Sequence, residues 1–212
     1  MQIRNWLSKW FTRVYARSID LSGVTEEENY RAHGEERRVF WIDADGWPAA
    51  GQFTLFGTIL LNEGMLKDVP EEVVDYTFLH EIGHSKLPSI LGIGSVLVRI
   101  PLFFLALFGI PMLIVRWLVF LLSGPTIGQF TTLSVAYLLV ALLILVPLVA
   151  IWRLDEGYAE FYVVSKVGEE TYLRYFEKME ENSDRGTFAR IFRKVFYPSP
   201  KHVLWVANSR WA

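Results

Sequence analysis

Apolar positions recur at helical spacing from the first residues of the chain. Ile3, Trp6, Leu7, Trp10, Phe11 and Val14 share one face of a helix over residues 1–19, and Arg4, Lys9, Arg13 and Arg17 fall largely on the other. A basic amphipathic helix with two tryptophans suits a membrane surface, or else the core of a soluble domain, and the pattern leaves both open. Residues 20–38 are polar, acidic and then basic, and predict loop or short helix. Two β-branched and aromatic runs follow, "RVFWIDA" (38–44) and "FTLFGTILL" (53–61), separated by the turn-forming "DGWPAAG". Pro70 suits a first helical position, and Glu71 and Glu72 favour the positive end of a helix dipole, so a helix runs from Pro70 to Lys86. Residues 153–182 predict helix with a break near Gly168, and the remainder reads as mixed and irregular.

Between these parts the pattern changes. Across residues 87–152 the only charges are Arg99 and Arg116. Residues 130–152 carry no charge, and at about 1.5 Å per residue that run exceeds the roughly 30 Å hydrocarbon core of a bilayer. A second apolar run, 100–124, is interrupted by Pro111 and Arg116, and could begin near Ile93 and end near Trp117. Prolines are tolerated in membrane helices, whereas a charge there must snorkel or face protein. The two runs, joined by "SGPTIGQ" (123–129), predict a transmembrane helical hairpin over 93–152. A pair of buried helices in a soluble core is the weaker alternative, because the rest of the chain is too small to wrap so apolar a segment. No compact apolar region marks a signal peptide.

Composition narrows the chemistry. A net charge of -2 gives no reason to expect nucleic acid as a partner. There are no cysteines, so a metal would have to be held by His and carboxylates. Two of the four histidines stand in "LHEIGH" (79–84). On a helix His80 and His84 lie one turn apart on one face, able to offer two imidazole nitrogens to one zinc ion. Glu81 sits beside them, placed to take a proton from a metal-bound water, and Gly83 would allow close packing against a neighbouring element. A catalytic zinc needs a third protein ligand.

The candidates are in "RLDEGYAEFYVV" (153–164), just after the second span. Glu156 is preferred over Asp155. It has Glu160 one turn on, able to hydrogen-bond the outer nitrogen of a ligating histidine, while Asp155 has Ala159 there. Two spans between His84 and Glu156 return the chain to its starting side, as a shared metal requires. Nine Lys/Arg lie in residues 1–86 and ten in 153–212, against none in the inter-helix turn, which predicts a cytoplasmic catalytic side. His33, in the polar "NYRAHGEERR", reads as a surface residue.

Over roughly residues 45–165 the sequence resembles the membrane zinc metallopeptidase family of HtpX and CAAX prenyl protease 1. "FTLFGTILLNEGML" before "LHEIGH" resembles the family's edge strand and turn ahead of its active-site helix. The hairpin between motif and third ligand matches, and "EGYAE" resembles the family's E-x-x-A-D, with Glu160 in place of the aspartate. Family members carry further spans before the motif. "YPSPKHVLW" is only loosely similar to their S-H-P-P stretch, so His202, Tyr158 and Tyr197 all stand as oxyanion-stabilising candidates.

The resemblance implies a gluzincin: an α+β, mainly helical zincin-like domain with a small β-sheet, composed of residues 20–86 and 153–212 and interrupted by the hairpin. It implies an integral-membrane endopeptidase with one zinc per chain, acting on unfolded or membrane-proximal polypeptides. His80, His84 and Glu156 would be the ligands, Glu81 the general base and Glu160 the support behind a ligand. A catalytically inactive membrane adaptor or regulator of the same fold is the alternative. A hydrolase with a non-peptide substrate is a third possibility. The oligomeric state is not readable from the sequence.

Overall fold

Strand alternation builds a small sheet with two apolar faces, and each face selects a helix to cover it. In the computed structural model, which describes residues 2–20, 22–44, 47, 49–54, 56–181 and 187–211, the strands are β1 (Val24–Ala32), β2 (Glu35–Ile42), β3 (Gly51–Phe53) and β4 (Ile59–Asn62). They pair in the order β1-β2-β4-β3; β2 and β4 are parallel and the outer pairs antiparallel. Val39, Ile59 and Leu61 point to one face and Phe40, Ile42 and Leu60 to the other, all essentially buried.

The first face packs on α3 (Glu71–Lys86) through Phe78, Leu79 and Ile82. Each such side chain contributes about 1.5–3 kcal/mol by leaving water. Behind α3 lie α6 (Ile127–Val167), α7 (Glu169–Glu181) and α9 (Pro200–Trp211), adding Val163, Tyr172, Val203 and Leu204 to the same core. The second face packs on α1 (Gln2–Ile19), centred on Ala16.

Helix α1 meets the protein through its small polar side. Ser8 donates to the Phe56 carbonyl, Thr12 pairs with Thr58 at 2.8 Å, and Tyr15 donates to Gln52. The row Trp6, Leu7, Trp10, Phe11 and Val14 faces outward, with Trp6 63% and Trp10 49% exposed. Phe56 extends this row by stacking on Phe11.

The first apolar run is α4 (Ser89–Phe104), a π-helical turn at Leu105–Gly109 and α5 (Ile110–Leu122). The wide turn lies just ahead of Pro111, whose ring clashes with the carbonyl four residues back and offers no N–H. Helix α6 opens on a capping box between Thr126 and Gln129 and continues without a break to Val167. Trp117 donates to Ser134 across the pair. The stretches Leu97–Leu122 and Ile127–Val167 are long and apolar enough to cross a membrane, and the protein covers almost none of their apolar surface. The two helices are therefore not buried in a core of this chain.

The architecture is α+β, mainly helical, with a small mixed sheet and two long apolar helices. Three details of these elements differ from the sequence-based expectation. Residues 24–32 form an edge strand and not loop or helix: its outward glutamates hide the alternation, and β2 supplies its pairing. The run 53–61 is two short strands, parted by a turn in which Thr54 pairs with Thr58 and Gly57 takes φ +77°. The end of the chain is helical, α8 (Thr187–Phe196) and α9, separated by Tyr197–Ser199. His33 is an exposed surface residue, as the sequence suggested. It tops the β1–β2 turn at φ 47°, followed by Gly34 at 77°, and its Nε2 lies 2.9 Å from the Tyr175 hydroxyl. Met1, Leu21, Asp45, Gly46, Pro48, Leu55 and Asn182 lie outside the described residues, as do the side chains of Ile3 and Arg4.

Gly83 of α3 is pressed against α6. A Cβ there would lie 2.6 Å from the Ala159 Cα and 2.8 Å from its carbonyl oxygen. Alanine normally stabilises a helix interior by about 0.5–1 kcal/mol over glycine. At this contact the sign reverses: Gly83→Ala is expected to cost about 1–3 kcal/mol as the two backbones are forced apart. The denaturation midpoint of the purified protein in detergent measures it, and a gain in stability would refute the close approach.

Candidate metal centre

The contact at Gly83 sets the distance between two rows of side chains. Helix α3 begins after Pro70, whose carbonyl accepts from the Val73 amide, with Glu71 and Glu72 in the first turn. Two and three turns later it presents His80 and His84. Opposite, α6 runs on past the apolar stretch and presents Asp155, Glu156 and Glu160. The carboxylates facing the histidines therefore stand on the same unbroken helix as the second apolar run, where the sequence suggested a separate helix from residue 153.

Glu156 lies between the two imidazoles. Its Oε2 is 3.1 Å from His80 Nε2 and 3.8 Å from His84 Nε2. The rings stand 4.9 Å apart, nearly perpendicular. Ligands bound tetrahedrally at about 2.0–2.2 Å are about 3.3–3.6 Å from one another, so the observed separations bracket those of atoms sharing one cation. His80, His84 and Glu156 together could hold a metal ion, their ligand atoms all lying within 4.8 Å of one another.

The outer nitrogens have carboxylates too. His80 Nδ1 faces Glu160 Oε1 at 3.5 Å, and His84 Nδ1 faces Asp155 Oδ1 at 3.1 Å. At His84 this hydrogen bond favours a proton on Nδ1 and leaves the Nε2 lone pair for a cation, whereas His80 Nδ1 makes no hydrogen bond and has Glu160 only nearby. Asp155, weighed from sequence as a rival ligand, thus stands behind His84, and Glu160 stands behind His80. Glu160 is itself pinned by the Tyr76 hydroxyl, which donates to its Oε1. Burial, helped by Glu160, holds the Tyr76 proton on, well above the usual phenol range. Burial pulls His80 towards the neutral form, but the hydrogen bond to Glu156 and the charges of Glu160 and Glu156 outweigh it and raise its pKa to about 9. The same negative charge that retains a proton on this imidazole would balance a divalent cation.

Glu81 is buried beside the triad, and burial raises its pKa above the ordinary carboxylate range. Its Oε2 accepts from the Phe53 backbone amide at 2.5 Å. Strand β3 can lie this near because Gly51 has no side chain: a Cβ there would be 3.0 Å from Glu81 Cγ.

Two of the three oxyanion candidates, His202 and Tyr158, have other partners at their side chains, and Tyr197 makes a backbone contact. His202 Nδ1 is 3.0 Å from the Ser199 hydroxyl at the start of α9, Tyr158 donates to the Lys86 carbonyl, and the Tyr197 carbonyl accepts from Arg153. Two members of the network went unnoticed in the sequence. Tyr76 stands one turn before His80 on the same face, and Arg99, a charge isolated in an apolar run, donates to Asp155 at 2.9 Å.

The purified protein is expected to bind one divalent ion per chain. Glu156→Ala should abolish stoichiometric binding, measured by elemental analysis after gel filtration. Full occupancy in that variant would remove Glu156 from the ligand set.

Comparison with protein-family models, curated protein sequences and solved structures found no match to this chain.

Proposed function

We propose that this chain is a zinc-dependent integral-membrane endopeptidase of the gluzincin type, with a zincin-like domain and one zinc per chain. The observation that carries the proposal is the convergence of both Nε2 atoms on Glu156, with Glu81 one residue along α3 from His80. His₂Glu sets with no thiolate suit zinc, and three protein ligands leave a coordination position open. Zinc held there supplies Lewis acidity, lowering the pKa of a coordinated water to about 7 and polarising the scissile carbonyl.

The protein's own groups do the rest. Glu81 takes the proton of the attacking water and delivers it to the leaving amine. A raised pKa matches that task, because the carboxylate must accept a proton readily and release it again. The Phe53 amide holds one Glu81 oxygen at the sheet edge. Strand β3 is terminal in the sheet, so an extended peptide can add along it by main-chain pairing and pass over Glu81. Unfolded or membrane-proximal polypeptides present such a backbone.

The two long apolar helices cross the bilayer in this reading, and an even number of crossings leaves α3 and the end of α6 on one side. The Lys/Arg distribution assigns that side to the cytoplasm. Helix α1 then rests on the same leaflet, its outward row Trp6, Leu7, Trp10, Phe11 and Val14 entering the headgroup boundary.

Two measurements test this. Glu81→Gln should retain stoichiometric zinc while casein cleavage falls by about 10²–10⁴-fold, the usual worth of a positioned general base. Equal cleavage by both proteins refutes the role of Glu81, and zinc without turnover in the wild type favours the adaptor alternative. In nanodiscs of lipid brominated near the headgroup, Trp6→Phe/Trp10→Phe should lose part of the tryptophan quenching. Unchanged quenching would place α1 off the membrane.

A further inference from the structure

The two imidazoles of the centre are braced from different directions. Behind His80, Glu160 is held by Tyr76, a residue of α3 itself. Behind His84, Asp155 is held from the apolar hairpin: Arg99 Nη1 donates to Asp155 Oδ2 at 2.9 Å, while Oδ1 faces His84 Nδ1 at 3.1 Å. Each oxygen of this carboxylate thus has one partner. The Arg99 side chain is one-quarter exposed and its guanidinium lies 5.1 Å over the Trp152 ring. Arg116, the other charge of residues 87–152, is exposed on α5.

We propose that Arg99 is a positioning residue of the metal centre, acting from the first apolar helix through Asp155 on the ring of His84. The inference rests on the zinc-site reading above. A cation in an apolar helix is costly unless it faces protein and is paired, and the pairing here goes to the carboxylate that stands behind His84. Asp155 stands between the His84 imidazole and the Arg99 guanidinium, so loss of the arginine would strip the donor from its Oδ2 and loosen the carboxylate that holds His84. With Arg99 in place it stays an acceptor for the Nδ1 proton, which keeps the Nε2 lone pair aimed at the shared centre. The ligand set is then complete only when the first apolar helix is packed on α6. Arg99 is distinct from the catalytic residues, because it touches neither the ligands nor Glu81.

The test uses the full chain in nanodiscs, with zinc affinity from chelator competition and the visible absorption of the cobalt(II)-substituted protein as readouts. Removing a partner behind a metal ligand typically weakens binding by about 10–100-fold. Asp155→Ala should show that loss and a shifted cobalt spectrum. Arg99→Gln should do the same in lesser degree, Arg99→Lys should recover part of it, and Arg99→Gln/Asp155→Ala should bind no worse than Asp155→Ala alone. A merely structural arginine would not move the cobalt bands and would not give this non-additivity. Wild-type affinity and spectrum in Arg99→Gln, or losses that simply add, overturn the proposal. If Arg99→Gln fails to insert stably, Asp155→Ala breaks the same contact from the other side, and an unchanged spectrum there overturns it equally. A wild-type protein that takes up neither zinc nor cobalt would remove the metal centre itself, a different outcome from a loaded wild type indifferent to Arg99.

Discussion

Two backbones that touch at Gly83 and Ala159 hold the candidate site together. Helices packed at ordinary distance, about 8–10 Å, keep a layer of side chains between their backbones. Here the absent Cβ lets α3 approach α6 until a single carboxylate, Glu156, lies between imidazoles from successive turns of the facing helix. The contact is local, but its stability is borrowed. Phe78, Leu79 and Ile82 anchor α3 to the sheet on one side, while Val163 and Val164 anchor α6 to the α7 and α9 core on the other. A shift in either helix would be felt by the ligands before it reached the rest of the core.

Charge is the second constraint. Glu81, Asp155, Glu156 and Glu160 crowd two imidazoles in a nearly dry setting, and such a cluster is tolerable only with proton sharing, hydrogen bonding or a cation. The solutions differ from acid to acid. Glu160 takes the Tyr76 hydroxyl, Glu81 the Phe53 amide, Asp155 the Arg99 guanidinium, and Glu156 the two Nε2 atoms themselves. Three of the four are therefore occupied by donors that no ion needs to displace. Glu156 faces only the imidazole nitrogens, which is the arrangement a shared cation would use.

Much of this was legible in the sequence, and the parts that were not have physical reasons. The histidine pair follows from helical periodicity, which is local, and the two apolar stretches follow from composition, which is cumulative. Gly83 was readable as a packing position, though its partner was not, because helix pairing depends on the whole topology. Strand β1 was hidden because its exposed faces carry Glu26, Glu27 and Glu28, and its order comes from pairing with β2 and from bonds such as Trp41 to Glu28. The C-terminal helices were missed because Phe, Tyr and Trp have middling helix propensity, and burial of Val203, Leu204 and Ala207 decides the outcome. In the sequence Asp155 reads only as the lesser ligand candidate, and its contact with His84 is not legible: one residue of helical rotation, about 100°, carries it past the centre and behind that ring.

The continuity of α6 has a mechanical consequence. Because no loop separates the second apolar run from Glu156, axial displacement or tilt of that helix is carried to the carboxylate along one continuous helix, whose ladder misses a bond at Pro147, which has no N–H to donate. The first apolar helix lacks this continuity, being broken by a π-turn at Leu105–Gly109 and bearing Pro101 and Pro111. Arg99 lies before the whole of that irregular region, on the first part of the helix, which follows α3 in the chain. Distortion further along the helix can therefore be taken up by the π-turn without disturbing the pair with Asp155. The hairpin thus combines one continuous helix that carries Glu156 with one interrupted by a π-turn, whose near end is fastened to Asp155 through Arg99.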